Sequence, residues 1–430
     1  MQVHMAFGKT GLDVELPEGY DYRLLEARSA TPLDDANAAL EAALDRPIAA
    51  APLAELARGK KSAAISVCDI TRPAPNRVVL PHVLKRLEQA GIGRDAITIL
   101  IATGLHRPAT EAEIREIVGE DIAATVRVVN HHARELSEHR FLGNTSSGTP
   151  VFIDERFVAA DLHITLGFIE PHLMLGFSGG RKLVAPGLAA QETIKVLHSP
   201  KFMREARAVE GSIEDNPLHR ELLEIASLAR HDFMVDVALA RDRRIAGVFA
   251  GNAVEAHRRG VEFVRRVMLE QFADPVDAVI TTSAGYPLDL TFYQAVKGIT
   301  AASHIVRPGG AILLFARCSE GAGAPEFSRM LLENPSSRKF LDSIVGTPVE
   351  VDQWQLEKLA LVMEKLRVLF HVPGLAAEYH PTLWGPAYGT AEEAVAALFR
   401  ELPKGARVAV IPEGPYVLAK VIEGVQASAH

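Results

Sequence analysis

Cysteine is scarce in this chain, and long uninterrupted apolar runs are missing. The only two cysteines, Cys68 and Cys318, lie far apart in a sequence of 430 residues. A disulfide framework is therefore not expected, and a reducing, cytoplasmic location is the expectation. No stretch approaches the roughly 18 apolar residues of a membrane-spanning helix. The first residues, MQVHMAFGKTGLDVELPEGY, also lack the pattern of a signal peptide. We expect no membrane partner.

Positive charge is in short supply too. Lysine and arginine together number 46 against 54 acidic residues, the net charge is -8, and no basic block stands out along the chain. Nucleic acids and anionic membrane surfaces are bound mainly through basic residues. The composition therefore disfavours both classes of partner.

Two common catalytic motifs are absent. No Gly-X-Gly-X-X-Gly opens a helix after the first predicted strand, and no acidic residue ends a strand about 20 residues later, as in nicotinamide dehydrogenases. His-Glu-X-X-His and clustered metal-ligand spacings are also lacking, which speaks against a zinc hydrolase.

The chain does have the composition of a large globular protein. Hydrophobic residues make up 48% and charged residues 23% of its length. This length exceeds one ordinary domain, and we predict two, residues 1–273 and 274–430, with a boundary near Asp274.

Short apolar runs alternate with loops and helices throughout. In the first part the pattern predicts helices Pro32–Arg58, Val78–Ala90, Thr110–Val118 and Val254–Phe272, strands Ala63–Val67, Ile97–Ala102 and Val126–Val129, two apolar segments within 150–170, and a hairpin of Phe233–Ala240 with Ile245–Phe249. In the second part it predicts strands Ala278–Thr282, Ala311–Phe315, Val368–His371 and Arg407–Ile411 and helices Phe292–Ile305, Trp354–Lys365 and Ala391–Leu402. This alternation is typical of parallel sheets with crossover helices. We predict two α/β domains with mostly parallel sheets and the active site in the cleft between them.

The stretch Ile169–Ser199 concentrates residues capable of chemistry. His172, a glycine-rich turn (Gly176, Ser178, Gly179, Gly180), Lys182 and His198 lie within it. Such a turn lets backbone approach a ligand, and its N–H groups can hold anionic oxygens. The lysine could be a fixed charge, a nucleophile or an ordinary solvated residue. His198, late in a predicted helix, could be a ligand or a partner of the helix dipole.

Polar residues also follow two predicted strands. Asp69, Thr71 and Arg72 come after the first strand, and His106 follows the next. One interpretation is that these residues bind a phosphate or carboxylate next to a base. The other is that they form a helix N-cap followed by a surface arginine. Four other histidines are interpreted as exposed polar residues and left out: His131, His132, His139 and His163.

In the second domain the candidates share one helix. Gln294 and Lys297 are spaced i, i+3 and therefore lie on one face, next to Tyr293. An amide and an ammonium near a helix N-terminus suit a carboxylate, although a solvated face is an equal interpretation. The two tryptophans, Trp354 and Trp384, are core or site residues.

In combination these motifs resemble the nickel-dependent lactate racemases and related 2-hydroxyacid racemases and epimerases. The resemblance covers nearly the whole chain. It rests on DITRP (Asp69–Pro73), TGLHRP (Thr103–Pro108), EPHLMLGFSGGRK (Glu170–Lys182), LHS with His198, and YQAVKG (Tyr293–Gly298). Order and approximate spacing agree as well as residue type.

The resemblance implies a racemase or epimerase of a small, lactate-like 2-hydroxyacid. It implies a nickel-pincer nucleotide, a Ni(II) pyridinium-3,5-bisthiocarboxylate mononucleotide, attached covalently at Lys182, and enzymes of cofactor biosynthesis as maturation partners. The roles it assigns are acid/base for His106 and His172, nickel ligand for His198, cofactor binding for Asp69, Ile70, Thr71 and Arg72, and substrate binding for Arg72, Tyr293, Gln294, Lys297 and Trp354. The alternatives are a nicotinamide-dependent 2-hydroxyacid dehydrogenase and a non-catalytic nucleotide-binding module.

Overall fold

A computed structural model describes residues 1–422 of the chain. The residues fall into two compact units. The first unit comprises Ser29–Leu197 and Glu205–Val267. The second unit comprises Met1–Arg28, His198–Arg204 and the described residues from Met268 to Ile422. The division predicted near Asp274 stays a prediction.

Strands and helices alternate along most of the described chain. The strands are β1 (Gln2–Met5), β2 (Leu12–Glu15), β3 (Asp21–Leu24), β4 (Ala63–Cys68), β5 (Ile97–Ala102), β6 (Arg127–Asn130), β7 (His139–Asn144), β8 (Pro150–Asp154), β9 (Leu162–Phe168), β10 (Pro171–His172), β11 (Gly176–Phe177), β12 (Phe233–Leu239), β13 (Ile245–Gly251), β14 (Leu269–Phe272), β15 (Val276–Thr282), β16 (Val306–Phe315), β17 (Arg367–His371), β18 (Arg407–Ile411) and β19 (Leu418–Val421). The α-helices are α1 (Ala36–Asp45), α2 (Leu53–Leu56), α3 (Asn76–Gln89), α4 (Glu111–Val118), α5 (Glu120–Thr125), α6 (Glu155–Val158), α7 (Gln191–Leu197), α8 (Pro200–Met203), α9 (Pro217–Leu228), α10 (Glu255–Met268), α11 (Phe292–Ser303), α12 (Pro325–Glu333), α13 (Ser337–Ser343), α14 (Gln353–Met363) and α15 (Ala391–Glu401).

The first unit is built on a six-stranded sheet. Its order is β13-β12-β9-β4-β5-β6, and every neighbouring pair is parallel except the β12–β13 hairpin. β4 and β9 are buried along their whole length, because helices cover both faces of a parallel sheet. The chain runs from β4 outward to β6 and then returns to β9 on the other side of β4. The carboxyl ends of β4 and β9 therefore form the switch point of this sheet, where α/β folds bind ligands.

The second unit is built on a five-stranded, fully parallel sheet. Its order is β17-β16-β15-β18-β3. Alternate residues of β15 enter separate cores, since successive side chains of a strand point to opposite faces: Val279 packs with α11 and α14, whereas Ala278 and Ile280 pack with α15. A switch point lies between β15 and β18, and the chain after β15 leads into α11.

The predicted fold class is confirmed, since both main sheets are mostly parallel. The limits predicted for Ile97–Ala102 and Arg407–Ile411 match β5 and β18. The helix predicted to reach Phe272 instead ends at Met268, and Leu269–Phe272 form β14, which pairs with β19. Sequence periodicity could not reveal this pairing, because the partner strand lies at the far end of the chain. None of the helices within residues 1–422 has the length and apolarity to cross a membrane.

Candidate active site

Asp69 and His106 form a hydrogen-bonded pair at the carboxyl ends of β4 and β5. His106 Nδ1 lies 2.7 Å from Asp69 Oδ2, and Thr71 Oγ1 donates to Asp69 Oδ1 at 2.7 Å. Burial opposes ionisation of Asp69, but the hydrogen bonds from His106 and Thr71 outweigh it and hold the pKa of this carboxyl below its usual value. A carboxylate can only accept hydrogen bonds, so His106 carries its proton on Nδ1. In the neutral ring Nε2 is then free to accept a proton.

The interpretation of Asp69 as a helix N-cap is wrong. Helix α3 begins at Asn76 with Pro75 as its N-cap residue, and no side chain caps it. The carboxylate of Asp69 is used instead for Thr71 and the imidazole of His106.

Arg72 and Lys182 lie close to the same point at the end of β4. Burial raises the pKa of the Cys68 thiol to about 12, and the positive charges of Arg72 and Lys182 act on it in the opposite direction. Lys182 is half-buried in the short 3-10 helix Gly180–Leu183. Ser66 of β4 donates from Oγ to the carbonyl of Leu183 at 2.8 Å, which fixes this helix against the switch point of the sheet.

The loop that carries His106 is joined to the segment after Lys182. Gly104 N–H donates to the carbonyl of Gly187 at 3.1 Å, and Gly187 N–H donates to the carbonyl of Lys182 at 3.0 Å. Backbone hydrogen bonds therefore tie the loops after β5 and β9 together. The structure brings Asp69 and His106 together at one edge of the first unit's sheet, as predicted for strand-end residues, and the backbone hydrogen bonds link the turn of Lys182 to the loop of His106.

The glycine-rich turn after β9 is held by a buried arginine. Arg181 is 1% exposed, and its guanidinium donates to the carbonyls of Leu175 (3.2 Å), Phe177 (3.0 Å) and Gly179 (3.2 Å). Burial lowers the pKa of Arg181 to about 9, so the group keeps its charge near neutral pH. One side chain thus fixes three carbonyls of the turn between His172 and Lys182.

A buried carboxylate holds the same turn from β12. Asp236 is 0% exposed, and its Oδ2 accepts the N–H of Gly180 at 2.7 Å. Gly179 has φ +87, and a Cβ there would lie 2.2 Å from Asp236 Oδ2, so only glycine fits. Burial raises the pKa of Asp236 to about 7.

Two N–H groups of this turn have protein partners. Gly180 N–H is bonded to Asp236, and Ser178 N–H donates to the carbonyl of Glu170 at 2.9 Å. The expectation that these two groups hold anionic oxygens of a ligand is therefore wrong. Gly179 and Gly176 are needed for close packing, against Asp236 and against the carbonyl of Ser212.

His172 is held differently from His106. It lies in the tight β10–β11 hairpin, half-buried, and its Nδ1 accepts the N–H groups of Met174 and Leu175, each at 3.4 Å. When Nδ1 is an acceptor, the proton of the neutral ring is on Nε2. The two histidines therefore present opposite tautomers.

In the second unit His198 packs on Trp354. Helix α7 ends at Leu197, directly before His198, and the imidazole and indole ring centroids lie 4.5 Å apart. Trp354 is 8% exposed and lies in the first turn of α14. Trp384 contacts Phe340 instead, and its Nε1 donates to the carbonyl of Asn334 at 2.7 Å.

Tyr293, Gln294 and Lys297 are half-buried on α11, in the second unit. The first N–H groups of this helix are used within the protein: Phe292 and Tyr293 donate to Gly321 and Ala322, and Gln294 donates to Thr291 Oγ1. Among the described residues Gln294 Oε1 is buried without a hydrogen-bond partner. A carboxylate would therefore be held here by side chains rather than by the helix N-terminus.

Two of the four histidines interpreted as exposed are buried. His131 is 1% exposed and lies 2.9 Å from His139 between their Nε2 atoms, and His163 is 0% exposed and bonded to Asp232 at 2.7 Å. Across residues 1–422, no group of three or more His, Cys, Asp or Glu side chains is arranged to hold a metal ion.

Sequence reasoning missed Arg181 and Asp236. The signal for Asp236 was present, because it is the single charge in the apolar strand FMVDVAL, and a lone charge in a buried strand indicates a specific partner. Arg181 carried less signal, since an arginine next to Lys182 looks like part of a solvated pair.

Known proteins resemble this chain over nearly its whole length. The model of the lactate racemase N-terminal domain matches residues 7–211, and that of the lactate racemase C-terminal domain matches residues 272–419. A lactate racemase of Lactiplantibacillus plantarum is 37% identical over 89% of this chain and 90% of its own length. A lactate racemase of Thermoanaerobacterium thermosaccharolyticum is 32% identical over 97% of this chain and 99% of its own length.

Solved structures agree with these relationships. The lactate racemase apoprotein from Thermoanaerobacterium thermosaccharolyticum has a TM-score of 0.90 at 32% identity and covers 98% of this chain and 100% of its own. A Thermotoga maritima protein with a TM-score of 0.65 and 16% identity, covering 92% of this chain and 100% of its own, shares the fold. The chain is an isomerase of the racemase and epimerase type, and it belongs to the lactate racemase family.

Proposed function

We propose that this chain racemises or epimerises a small 2-hydroxyacid, with His106 and His172 as its acid/base residues and a nickel-pincer nucleotide attached at Lys182. The observation that carries the proposal is the Asp69–His106 hydrogen bond at the carboxyl ends of β4 and β5, at the edge of the sheet to which backbone hydrogen bonds link the turn of Lys182. The names of the 37% and 32% identical relatives, both lactate racemases, point to lactate or a close analogue.

The residues present fit such a cofactor. Lys182 is a half-buried amine on a turn held by Arg181 and Asp236, as a covalent tether requires, and the charges of Lys182 and Arg72 both act on Cys68 at the end of β4. An arginine there could pair with a phosphate. The imidazole of His198 is a suitable fourth donor for a nickel ion whose other donors are the sulfur arms and ring carbon of the pincer. When bound, the cofactor supplies an electrophilic pyridinium ring that can accept a hydride and return it.

His106 would act as the base for one enantiomer. Loss of hydride from the α-carbon is easier when a base also removes the hydroxyl proton, because the product is then a neutral ketone rather than a protonated, cationic carbonyl group. Asp69 fixes the proton of His106 on Nδ1 and leaves Nε2 to take the hydroxyl proton. The same carboxylate stabilises the imidazolium that results.

His172 would serve the other enantiomer. As an imidazolium it would give a proton to the ketone oxygen, and as the neutral ring it would take the hydroxyl proton of the other enantiomer. Two acid/base groups are needed, because the hydroxyl groups of the two enantiomers lie at different positions and each needs its own base.

The remaining predicted residues would bind and orient. Ile70, Thr71 and Arg72 line the loop after β4 and are proposed to hold the cofactor, with Arg72 also pairing with the substrate carboxylate. The substrate-binding residues on the second unit are proposed to be Tyr293, Gln294, Lys297 and Trp354. The buried and unpartnered Oε1 of Gln294 is suited to accept a substrate hydrogen bond.

The test is a racemisation assay on protein produced together with the enzymes of cofactor biosynthesis. Each enantiomer of lactate and of a panel of 2-hydroxyacids is supplied, and the products are separated on a chiral column. A parallel reaction in heavy water follows the α-hydrogen of the inverted product. We expect inversion without early deuterium at the stereocentre; early incorporation would indicate proton abstraction, and inactivity on every panel member would contradict the proposal.

A further inference from the structure

Residues 198–204 form a short excursion of the chain. The segments on both sides of it, ending at Leu197 and resuming at Glu205, belong to the first unit, whereas His198–Arg204 belong to the second unit. His198 is the first residue of this excursion and Arg204 is the last. We call the segment the crossing segment. Two of its side chains, Phe202 and Met203, are buried at 3% and 0% exposure, and polar contacts at its last residues add to this burial.

One face of α14 contacts the crossing segment. Trp354, Glu357 and Lys358 are spaced i, i+3 and i+4, which places them on the same face of the helix. Each meets a different part of the segment. Trp354 packs on the ring of His198, with the centroids 4.5 Å apart, and Lys358 Nζ donates to the carbonyl of Met203 at 2.9 Å.

Glu357 binds the far end of the crossing segment. Its Oε1 accepts from Arg204 Nε at 2.8 Å, and Arg204 Nη2 also donates to the carbonyl of Leu341 at 2.6 Å. The guanidinium of Arg204 thus joins α14 to the end of α13. The carboxylate of Glu357 is 0% exposed, whereas the side chain of Arg204 is 34% exposed.

These charges are expensive to bury. A glutamate and a lysine at 0% and 7% exposure lose hydration, and burial raises the pKa of Glu357 above its usual value. Glu357 Oε2 has no hydrogen-bond partner among the described residues. Apolar side chains of similar size often stabilise such positions better, and one role of a charge kept in such a position is to specify geometry. Here they specify where the crossing segment lies on α14.

We infer that Arg204, Glu357 and Lys358 are positioning residues for His198. They hold the crossing segment on α14 so that the imidazole of His198 stays against Trp354. The inference rests on the proposed function in one respect only, the role of His198 as ligand. Partners that orient a metal-binding histidine typically change metal affinity by about 10- to 100-fold when they are removed.

The test uses two measurements on Glu357→Gln, Arg204→Met and Lys358→Met. The first is the rate at which cofactor-loaded protein releases nickel to a chelating indicator. The second is acrylamide quenching of fluorescence in cofactor-free Trp384→Phe protein, in which Trp354 is the only tryptophan. Arg307→Gln serves as the control, because it removes an ion pair with Asp277 (2.6 Å) elsewhere in the second unit.

We expect each of the three variants to release nickel about 10- to 100-fold faster than the parent and to expose Trp354 to acrylamide, while Arg307→Gln changes neither property. Arg204→Lys keeps the charge and should recover part of the nickel retention, which a general loss of stability would not do. Unchanged quenching in all three variants would overturn the inference, as would unchanged nickel release. If the parent protein holds no nickel while quenching responds to Glu357→Gln, the proposed function fails and the positioning of His198 by α14 stands.

Discussion

The first unit holds its two candidate acid/base histidines in contrasting ways. His106 lies in a strand-end loop with its side chain 50% exposed, and a single carboxylate, Asp69, sets its tautomer. His172 belongs to a turn whose backbone is fixed from inside by Arg181, at 1% exposure, and by Asp236, at 0%. An exposed ring needs only one partner to define its proton, because water can satisfy the rest. A turn with buried carbonyls needs a donor in the interior, here Arg181, and its buried N–H at Gly180 needs an acceptor, here Asp236, since unpaired groups there would be costly.

The largest loss of activity is expected at Lys182, which follows the glycine-rich turn held by Arg181 and Asp236. Lys182→Ala removes the proposed tether, so the purified protein should contain neither nickel nor cofactor and should have no activity. Intact mass and metal analysis, on protein produced with the cofactor-biosynthesis enzymes, measure both. Lys195→Ala, on the neighbouring helix α7, is the matched control and should keep both. Stoichiometric nickel and turnover in Lys182→Ala would show that the attachment is elsewhere.

Removing either histidine should abolish racemisation but spare the cofactor. General acid/base catalysis contributes typically about 10²–10⁴-fold, so His106→Ala and His172→Ala should each lower kcat by that factor in chiral assays, with unchanged nickel content. His132→Ala is the control, because His132 also pairs with a carboxylate, Glu138, at 3.1 Å. If a variant of either candidate racemises the substrate at the parent rate, that histidine is not part of the acid/base pair.

Asp69→Asn should change the tautomer of His106 but not that of His172. The amide can donate to Nδ1 of His106 and thereby stabilise the other tautomer, which leaves no free lone pair on Nε2. We expect kcat to fall by about 10²-fold, near the lower end of what a general base contributes, while the tautomer of His172 is unaffected. Nitrogen NMR of labelled histidine gives the tautomers directly. If His106 keeps its proton on Nδ1 in the variant, Asp69 does not control it.

The contrast between the strand-end loop of His106 and the turn that follows His172 also explains which contacts could be predicted from the sequence. The Asp69–His106 pair was within reach, because β4 and β5 are adjacent parallel strands and their loops meet at one edge. The contact between Arg181 and the carbonyls of its own turn, and the approach of Asp236 to Gly180, depend on how the turn folds back against β12. No periodicity encodes that path. The same holds for β14, whose partner β19 lies at the other end of the second unit's sequence, and for the contact of His198 with Trp354 on α14.

The smallest effect expected is a pH dependence of stability at Asp236. Its folded pKa, about 7, lies above the ordinary value of 3.8, so between these values the folded protein binds more protons than the unfolded chain. Stability from this group is therefore present at low pH and is lost as pH rises toward 7.

In Asp236→Asn the amide oxygen can still accept from Gly180 N–H, and the charge is gone. Urea unfolding at pH 5, 6, 7 and 8 measures the free energy of unfolding of both proteins. We expect the value for the variant to rise relative to that of the parent as pH rises to about 7, by up to a few kcal/mol at about 1.4 kcal/mol per pKa unit, and not to rise further above pH 7.

The exposed Asp242 provides the control. Arg244 lowers the pKa of its carboxyl, so the free energy of unfolding of Asp242→Asn should differ from that of the parent by the same amount at all four pH values. A gap for Asp236→Asn that stays constant from pH 5 to 8 would mean that the carboxyl is already ionised in the folded protein, and that the turn is braced by an ion pair between Asp236 and Arg181 rather than by a protonated acid.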